Sequence, residues 1–209
     1  MRAEPMTPQR LVALLVEHIE AIQTPHPVRI LLDGPAPARP AELADALTEP
    51  LRVLGRPVLR VSAGDFLRPA SLRLEHGRRD PDAYYESWLD TAALRREVLD
   101  PLGPDGSRQY LPSLWNAHTD RATRAPYRTA APGAVLAVDG ALLLGQGLPA
   151  ELSVHLDVSP TVLRRRLDPD RQWTLPAFDR YAAEVDPWLT ADLVVRCDDP
   201  AHPALLRQR

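Results

Sequence analysis

The chain has 209 residues, 44% of them hydrophobic, with a net charge of −3 and an isoelectric point near 6.1. That length and apolar content suit one core in one domain over 1–209, and a weakly acidic balance without a basic block gives nucleic-acid binding no electrostatic footing. A single cysteine, Cys197, excludes a disulfide framework and a multi-cysteine zinc site.

The opening MRAEPMTPQR has no charged-then-apolar leader, and no apolar run approaches the roughly 18 residues of a membrane span. A cytoplasmic protein without membrane contact is therefore expected. Thr7-Pro8 reads as a helix N-cap followed by proline at the first helical position. Leu11, Leu14, Leu15, His18, Ile19 and Ile22 then recur at helical spacing, which places His18 as a packed or boundary residue. Pro25 and Pro27 close that helix before a first strand, Val28–Leu32. A loop follows, then a helix from about Pro40 to Leu51. Gly55-Arg56-Pro57 turns into a second strand, Val58–Val61.

The segment SAGDFLRP (62–69) leaves the carboxyl end of that strand, where open α/β sheets bind ligands. A helix is expected over about 82–100, with Tyr84 and Tyr85 diverging by about 100°, one to the core and one outward. Residues 107–129 read as a polar, irregular stretch, of the length that is usually functional. Ala134–Leu144 is a buried strand ending at Asp139-Gly140, and Leu152–Val158 a fourth strand followed by a helix over 160–167. A short lid is expected over 168–187, a last strand over Leu193–Cys197, then a tail. Five strands alternating with helices argue for a parallel sheet covered on both faces, an α/β three-layer fold.

The stretch that carries chemistry is the loop 34–41. The strand–loop–helix grammar is that of a phosphate-binding loop, G-x-x-x-x-G-K-[ST]. Gly34 matches the first glycine. Arg39 stands where the second glycine belongs, Pro40 in place of the lysine and Ala41 in place of the metal-binding hydroxyl. Pro35, Pro37 and Pro40 have no N–H to offer an anion. No lysine elsewhere can substitute, since all 25 basic residues are arginine. Taken alone, the loop also reads as an ordinary strand-to-helix turn with one glycine.

Taken with DGPAPARPAELADAL, VSAGDFLRP, RRDPDAYYESWLD, LDPLGPDGSRQY, HTDR, AVLAVDGALLL, HLDVSPTVLRRR and ADLVVRCDDPAHP, the chain resembles the uridine kinase-like branch of P-loop kinases, in particular actinobacterial homologues. The resemblance spans nearly the whole chain. It implies a P-loop kinase-like fold with a five-stranded parallel sheet, an acceptor-side segment over about 62–130 and an arginine-bearing lid. It also implies losses. The family's D-[SD]-F pattern puts its first Asp, the base toward the acceptor hydroxyl, at Gly64 here, with Asp65 next to it.

Asp139 matches the acidic Walker B position, and is otherwise a plain strand-end residue. Arg68, Arg79, Tyr84, Tyr85, His118 and Arg128 fall in segments that line the acceptor pocket in relatives. Arg164 and Arg171 fall where relatives carry lid arginines, beside Arg165, Arg166 and Arg180.

The expected function is a non-phosphorylating relative of nucleoside kinases, whose acceptor cleft takes a small anionic or sugar-like molecule without cofactor or metal. Asp65, His118 and Asp139 are its acid–base candidates. A pseudokinase acting as a regulatory or structural partner, and an unorthodox kinase using Arg39 and Asp65, are the alternatives. A homodimer is the one assembly considered.

Overall fold

The computed structural model describes residues 2–207 and has a seven-stranded central sheet. Its strands are β1 (Arg2–Pro5), β2 (Val28–Asp33), β3 (Val58–Ser62), β4 (Val135–Gly140), β5 (Leu152–Asp157), β6 (Leu193–Arg196) and β7 (Ala204–Arg207). Their spatial order is β1-β7-β6-β5-β2-β4-β3. The five strands from β3 to β6 are parallel, as the alternation of apolar runs and helices implies. β2 is buried along its whole length and β4 along all but its last residue, which is why both read as unbroken apolar runs.

Two strands go beyond the expected five. The tail folds back as β7, antiparallel to β6, and β1 adds antiparallel to β7. Neither is legible locally, because each is four residues long and they pair with one another across almost the whole sequence.

The helices begin where their caps say. In α1 (Pro8–Ala21) the Thr7 hydroxyl accepts from the Arg10 amide at 3.1 Å, and Leu11, Leu14, Leu15 and Ile19 face the core. His18, expected as a packed or boundary residue, is not packed. It is exposed, its Nδ1 2.8 Å from the Leu14 carbonyl oxygen. The helix expected over 40–51 is two, α2 (Pro40–Ala46) and α3 (Thr48–Val53). Pro50 has no N–H for the carbonyl of residue 46, so one continuous helix is blocked there.

The helix expected over 82–100 is likewise broken. α4 (Pro81–Glu86) stops where residues 87–90 dock on the 66–68 segment, with Arg68 N–H donating to Trp88 O and Asp90 N–H to Phe66 O, each at 2.9 Å. Asp90 then caps a new turn, Thr91–Leu94, through the Ala93 amide. Residues 107–129 are more regular than expected, carrying two ribbons: 109–110 with 128–129, and 115–116 with 121–122. Beyond β5 come α5 (Pro160–Arg166), a 3₁₀ turn Pro169–Thr174 and α6 (Leu175–Glu184).

Leu15, Ile19, Leu47 and Leu51 fill one side of the sheet, and Phe66, Leu94, Leu99 and Leu143 the other, so the expected layering holds. Among the described residues no helix is long and apolar enough to cross a membrane. β2 lies between β4 and β5, which makes its carboxyl end the point where the chain's direction across the sheet reverses and a crevice opens.

Candidate functional site

The crevice begins at Asp33, the last residue of β2. Its side chain is fully buried. One carboxylate oxygen accepts the Leu143 amide at 2.9 Å; the other takes the Tyr181 hydroxyl at 3.0 Å and lies 2.7 Å from His155 Nδ1. The Tyr181 oxygen in turn accepts from the Leu144 amide at 3.0 Å. A buried carboxylate requires this degree of satisfaction, and the result fixes the floor under the loop.

Gly34 donates its amide to Gly140 O at 2.8 Å. A Cβ at Gly34 would meet Leu156 Cβ and O at 2.9 Å, so packing alone demands a glycine there. Ala36–Ala38 winds a 3₁₀ turn in which Ala38 N–H donates to Pro35 O at 2.8 Å and Arg39 N–H to Ala36 O at 3.0 Å. Of the five N–H groups in 34–41, those of Gly34, Ala38 and Arg39 are engaged in internal hydrogen bonds, and Pro35, Pro37 and Pro40 have none. Arg39 is left-handed (φ 60°, ψ 50°) and its exposed guanidinium pairs with Glu42 at 3.3 Å. Pro40 starts α2, with Ala41 exposed beside it.

Between this loop, the 62–64 turn, residues 140–142 and α4 lies a cleft of about 450 Å³, within the range of small-molecule sites. Asp139 forms its floor and is 4% exposed. It accepts from Arg60 at 2.9 Å and from the Ser62 hydroxyl at 3.3 Å. Burial pushes the Asp139 carboxyl up, against the opposing pull of Arg60 and Ser62. Asp65, in the 3₁₀ turn Ala63–Phe66, is also pushed up, first by burial and then by the charge of Asp139. Gly64 is exposed on the cleft, and a Cβ there would meet nothing nearer than Ser62 Oγ at 3.4 Å.

The far wall is aromatic. Tyr84 meets Trp88 edge-on with centroids 5.2 Å apart, and Trp88 meets Trp173 at 5.4 Å. The Arg171 guanidinium sits over all three rings, at 5.3 Å from Tyr84, 5.5 Å from Trp88 and 5.6 Å from Trp173. Arg73, nearly buried, stacks on Trp88 as well, at 5.0 Å. Tyr85 carries the Arg180 guanidinium at 4.6 Å and faces Tyr181. The two tyrosines do not split between core and solvent as expected. Both are half-buried and both line the cleft, because α6 covers the side of α4 that would otherwise face water. Arg171 and Tyr84 also border a second cavity of about 290 Å³ against Ala36, Pro37 and Leu167.

Gly34, Arg39, Pro40, Ala41, Tyr84, Tyr85, Asp139 and Arg171 therefore converge on the cleft. The other candidates do not line it. Asp65 flanks Asp139 from the turn behind. Arg68 uses its backbone, its carbonyl accepting from Arg73 at 2.6 Å. Arg79 is exposed and pairs with Asp170 at 3.5 Å. His118 is exposed at the turn of the 115–122 ribbon, its backbone amide held by Asn116. Arg128 lies exposed in the other ribbon, and Arg164 is exposed in the last turn of α5.

Sequence reasoning missed the clamp residues Trp88 and Trp173, although the spacing of Tyr84 and Trp88 was a local signal. It also missed Ser62 and Glu42 on the cleft. Among the described residues no group of three or more His, Cys, Asp or Glu could hold a metal ion.

No protein-family model matches the chain, and no curated protein does. Solved structures do. A possible uridine kinase from Bacillus stearothermophilus superposes with a TM-score of 0.72 at 21% identity, covering 89% of this chain and 97% of that one. A candidate fructose transport system kinase from Silicibacter sp. TM1040 superposes at 0.67 with 20% identity, covering 90% and 98%. At such identities the likeness is one of fold, and the fold is P-loop kinase-like.

Proposed function

We propose that this chain binds a small anionic or sugar-like molecule in the cleft over Asp139, and that it does not transfer phosphoryl groups from ATP. The observation that carries this reading is the state of the loop amides. A triphosphate is held by backbone N–H groups converging on it, by a lysine and by a metal-bound hydroxyl. Here three amides of 34–41 are spent in internal hydrogen bonds and three residues are prolines. Lysine is absent from the chain and Ala41 has no oxygen. The residues present do not fit a triphosphate. Phosphoryl transfer rests almost wholly on positioning and charge neutralisation, and this loop supplies neither to a donor.

The acceptor side, by contrast, has the makings of a binding site: an aromatic wall, a carboxylate floor and the Arg171 cation at its edge. The planar donor fork of arginine suits carboxylate or phosphate. Asp139, held protonated to higher pH than an ordinary carboxyl, is the cleft's group for nucleotide-independent acid–base chemistry; Asp65, pushed up in the same direction, stands off the cleft. His118, exposed at a ribbon turn, is too far out on the surface for that role.

Titration calorimetry with ATP and Mg²⁺ tests the reading, followed by a uridine phosphorylation assay on the same sample. Absence of heat at millimolar nucleotide and absence of product are expected. Micromolar binding would overturn it and restore an active kinase in which Arg39 replaces the lysine. A second reading, a regulatory or structural partner, draws on one feature: the apolar groove between α1 and α3, where Val53 is 71% and Leu54 51% exposed. A sedimentation measurement that finds a stable homodimer, lost in Val53→Asp, would favour it.

A further inference from the structure

Residues 168–187 are the segment expected to close as a lid. Segments that move in this way are drawn from the least stable parts of a fold, with few buried contacts. This one, though much of it is exposed, is held down by three separate sets of contacts.

The first is a charge hub. Arg180 of α6 pairs with Asp82 at 3.0 Å and Glu86 at 2.7 Å, both on α4, and with Glu184 at 2.7 Å on its own helix. The same guanidinium lies on the Tyr85 ring. The second is Tyr181, 3% exposed, whose hydroxyl is bonded to buried Asp33 and to the Leu144 amide beneath the cleft. The third is the clamp in which Tyr84, Trp88 and Trp173 hold Arg171, with Phe178 of α6 against Tyr84.

Rings on α4, on the segment following it and on the lid itself thus share one cation, and cation–π contacts strengthen as water is excluded. Swinging the segment away would break all three sets together. Arg171 also stands between the cleft and the second cavity, since it and Tyr84 border both.

We propose that residues 168–187 are a fixed wall locked to α4, and that Arg171, gripped by Tyr84, Trp88 and Trp173, is the partition that confines any ligand to the larger chamber. The closed arrangement is then the resting state of the free protein and needs no nucleotide to form. This inference goes beyond the reading of the loop and stands on separate contacts.

Hydrogen exchange followed by mass spectrometry tests it on the wild-type chain, with and without millimolar MgATP, and on Arg180→Ala and Arg171→Ala. In the wild type, amides over 175–184 exchange as slowly as those of α1, and MgATP leaves them unchanged. Arg180→Ala speeds exchange over 175–184 by about tenfold or more while α1 keeps its rate. Arg171→Ala speeds exchange over 168–174, and added methylguanidinium, filling the emptied clamp, restores the slow rate.

Wild-type exchange over 175–184 about tenfold faster than in α1 would overturn the proposal. So would slowing of the segment by MgATP, or variants indistinguishable from the wild type. Should a variant fail to fold, the wild-type comparison decides alone. Calorimetric binding of MgATP with unchanged slow exchange would defeat the reading of the loop and leave the wall standing.

Discussion

Arg39 holds a backbone conformation that suits another residue. With φ 60° and ψ 50° it occupies the left-handed region that costs a non-glycine residue roughly 1–2 kcal/mol, at the position where the loop template has glycine. Arg39→Gly should therefore stabilise the fold by about 1 kcal/mol, after the greater freedom of glycine in the unfolded chain is set against the relieved strain. The exposed pair with Glu42 that is lost contributes little. Urea unfolding of the two proteins measures the difference.

Asp65 makes a second prediction. Its carboxyl lies above its ordinary value of 3.8, so the folded protein binds the proton more tightly than the unfolded chain does. The stability this proton contributes is complete below pH 3.8 and is lost as pH rises through the folded-state value. Asp65→Asn removes that titration. The variant should melt above the wild type at neutral pH, and the gap should close below about pH 4; a gap independent of pH would refute the assignment.

Residue identity alone revealed that Pro35, Pro37 and Pro40 have no N–H and that Ala41 has no side-chain oxygen. It did not reveal that Gly34 is required by Leu156, because that neighbour is distant in sequence.

At the scale of elements, the parallel strands were legible because they are buried on both faces and read as apolar runs. The broken helices were legible only in part. Pro50 gave a warning and Asp90, the cap of the new turn, another, but the break at 87–90 arises from docking on residues 66–68, a tertiary cause. The same limit explains His118: its segment was placed from chain order, whereas the ribbon geometry turns it to solvent. Trp173 was missed because a 3₁₀ turn, not helical periodicity, carries it to Trp88.

Tyr181 is the element-scale test, as one hydroxyl ties α6 to β2 and to residue 144. Tyr181→Phe leaves the Leu144 amide without its acceptor and removes one donor from buried Asp33. The expected loss is about 1–3 kcal/mol, measured by denaturant unfolding, without a change in the circular-dichroism spectrum of the native state.

At the scale of the molecule, the likeness to the two solved structures compared covers nearly the full length of both, and at about a fifth identity it is a likeness of fold. The expected five-stranded sheet was incomplete for a reason visible in its topology: β7 lies between β1 and β6, and β1 pairs with it in the register Arg2–Arg207 through Pro5–Ala204.

That pairing bears on how the chain is made. Loop closure across almost the entire sequence is slow and entropically costly. A growing chain can assemble β2 to β5 while still attached to the ribosome, but residues 2–5 must wait for residues 204–207 to emerge. Until then they carry unpaired edge groups of the kind that recruit wrong partners. Linking residue 207 to residue 2 by a short turn and opening the chain elsewhere would make a hairpin of that long-range pairing.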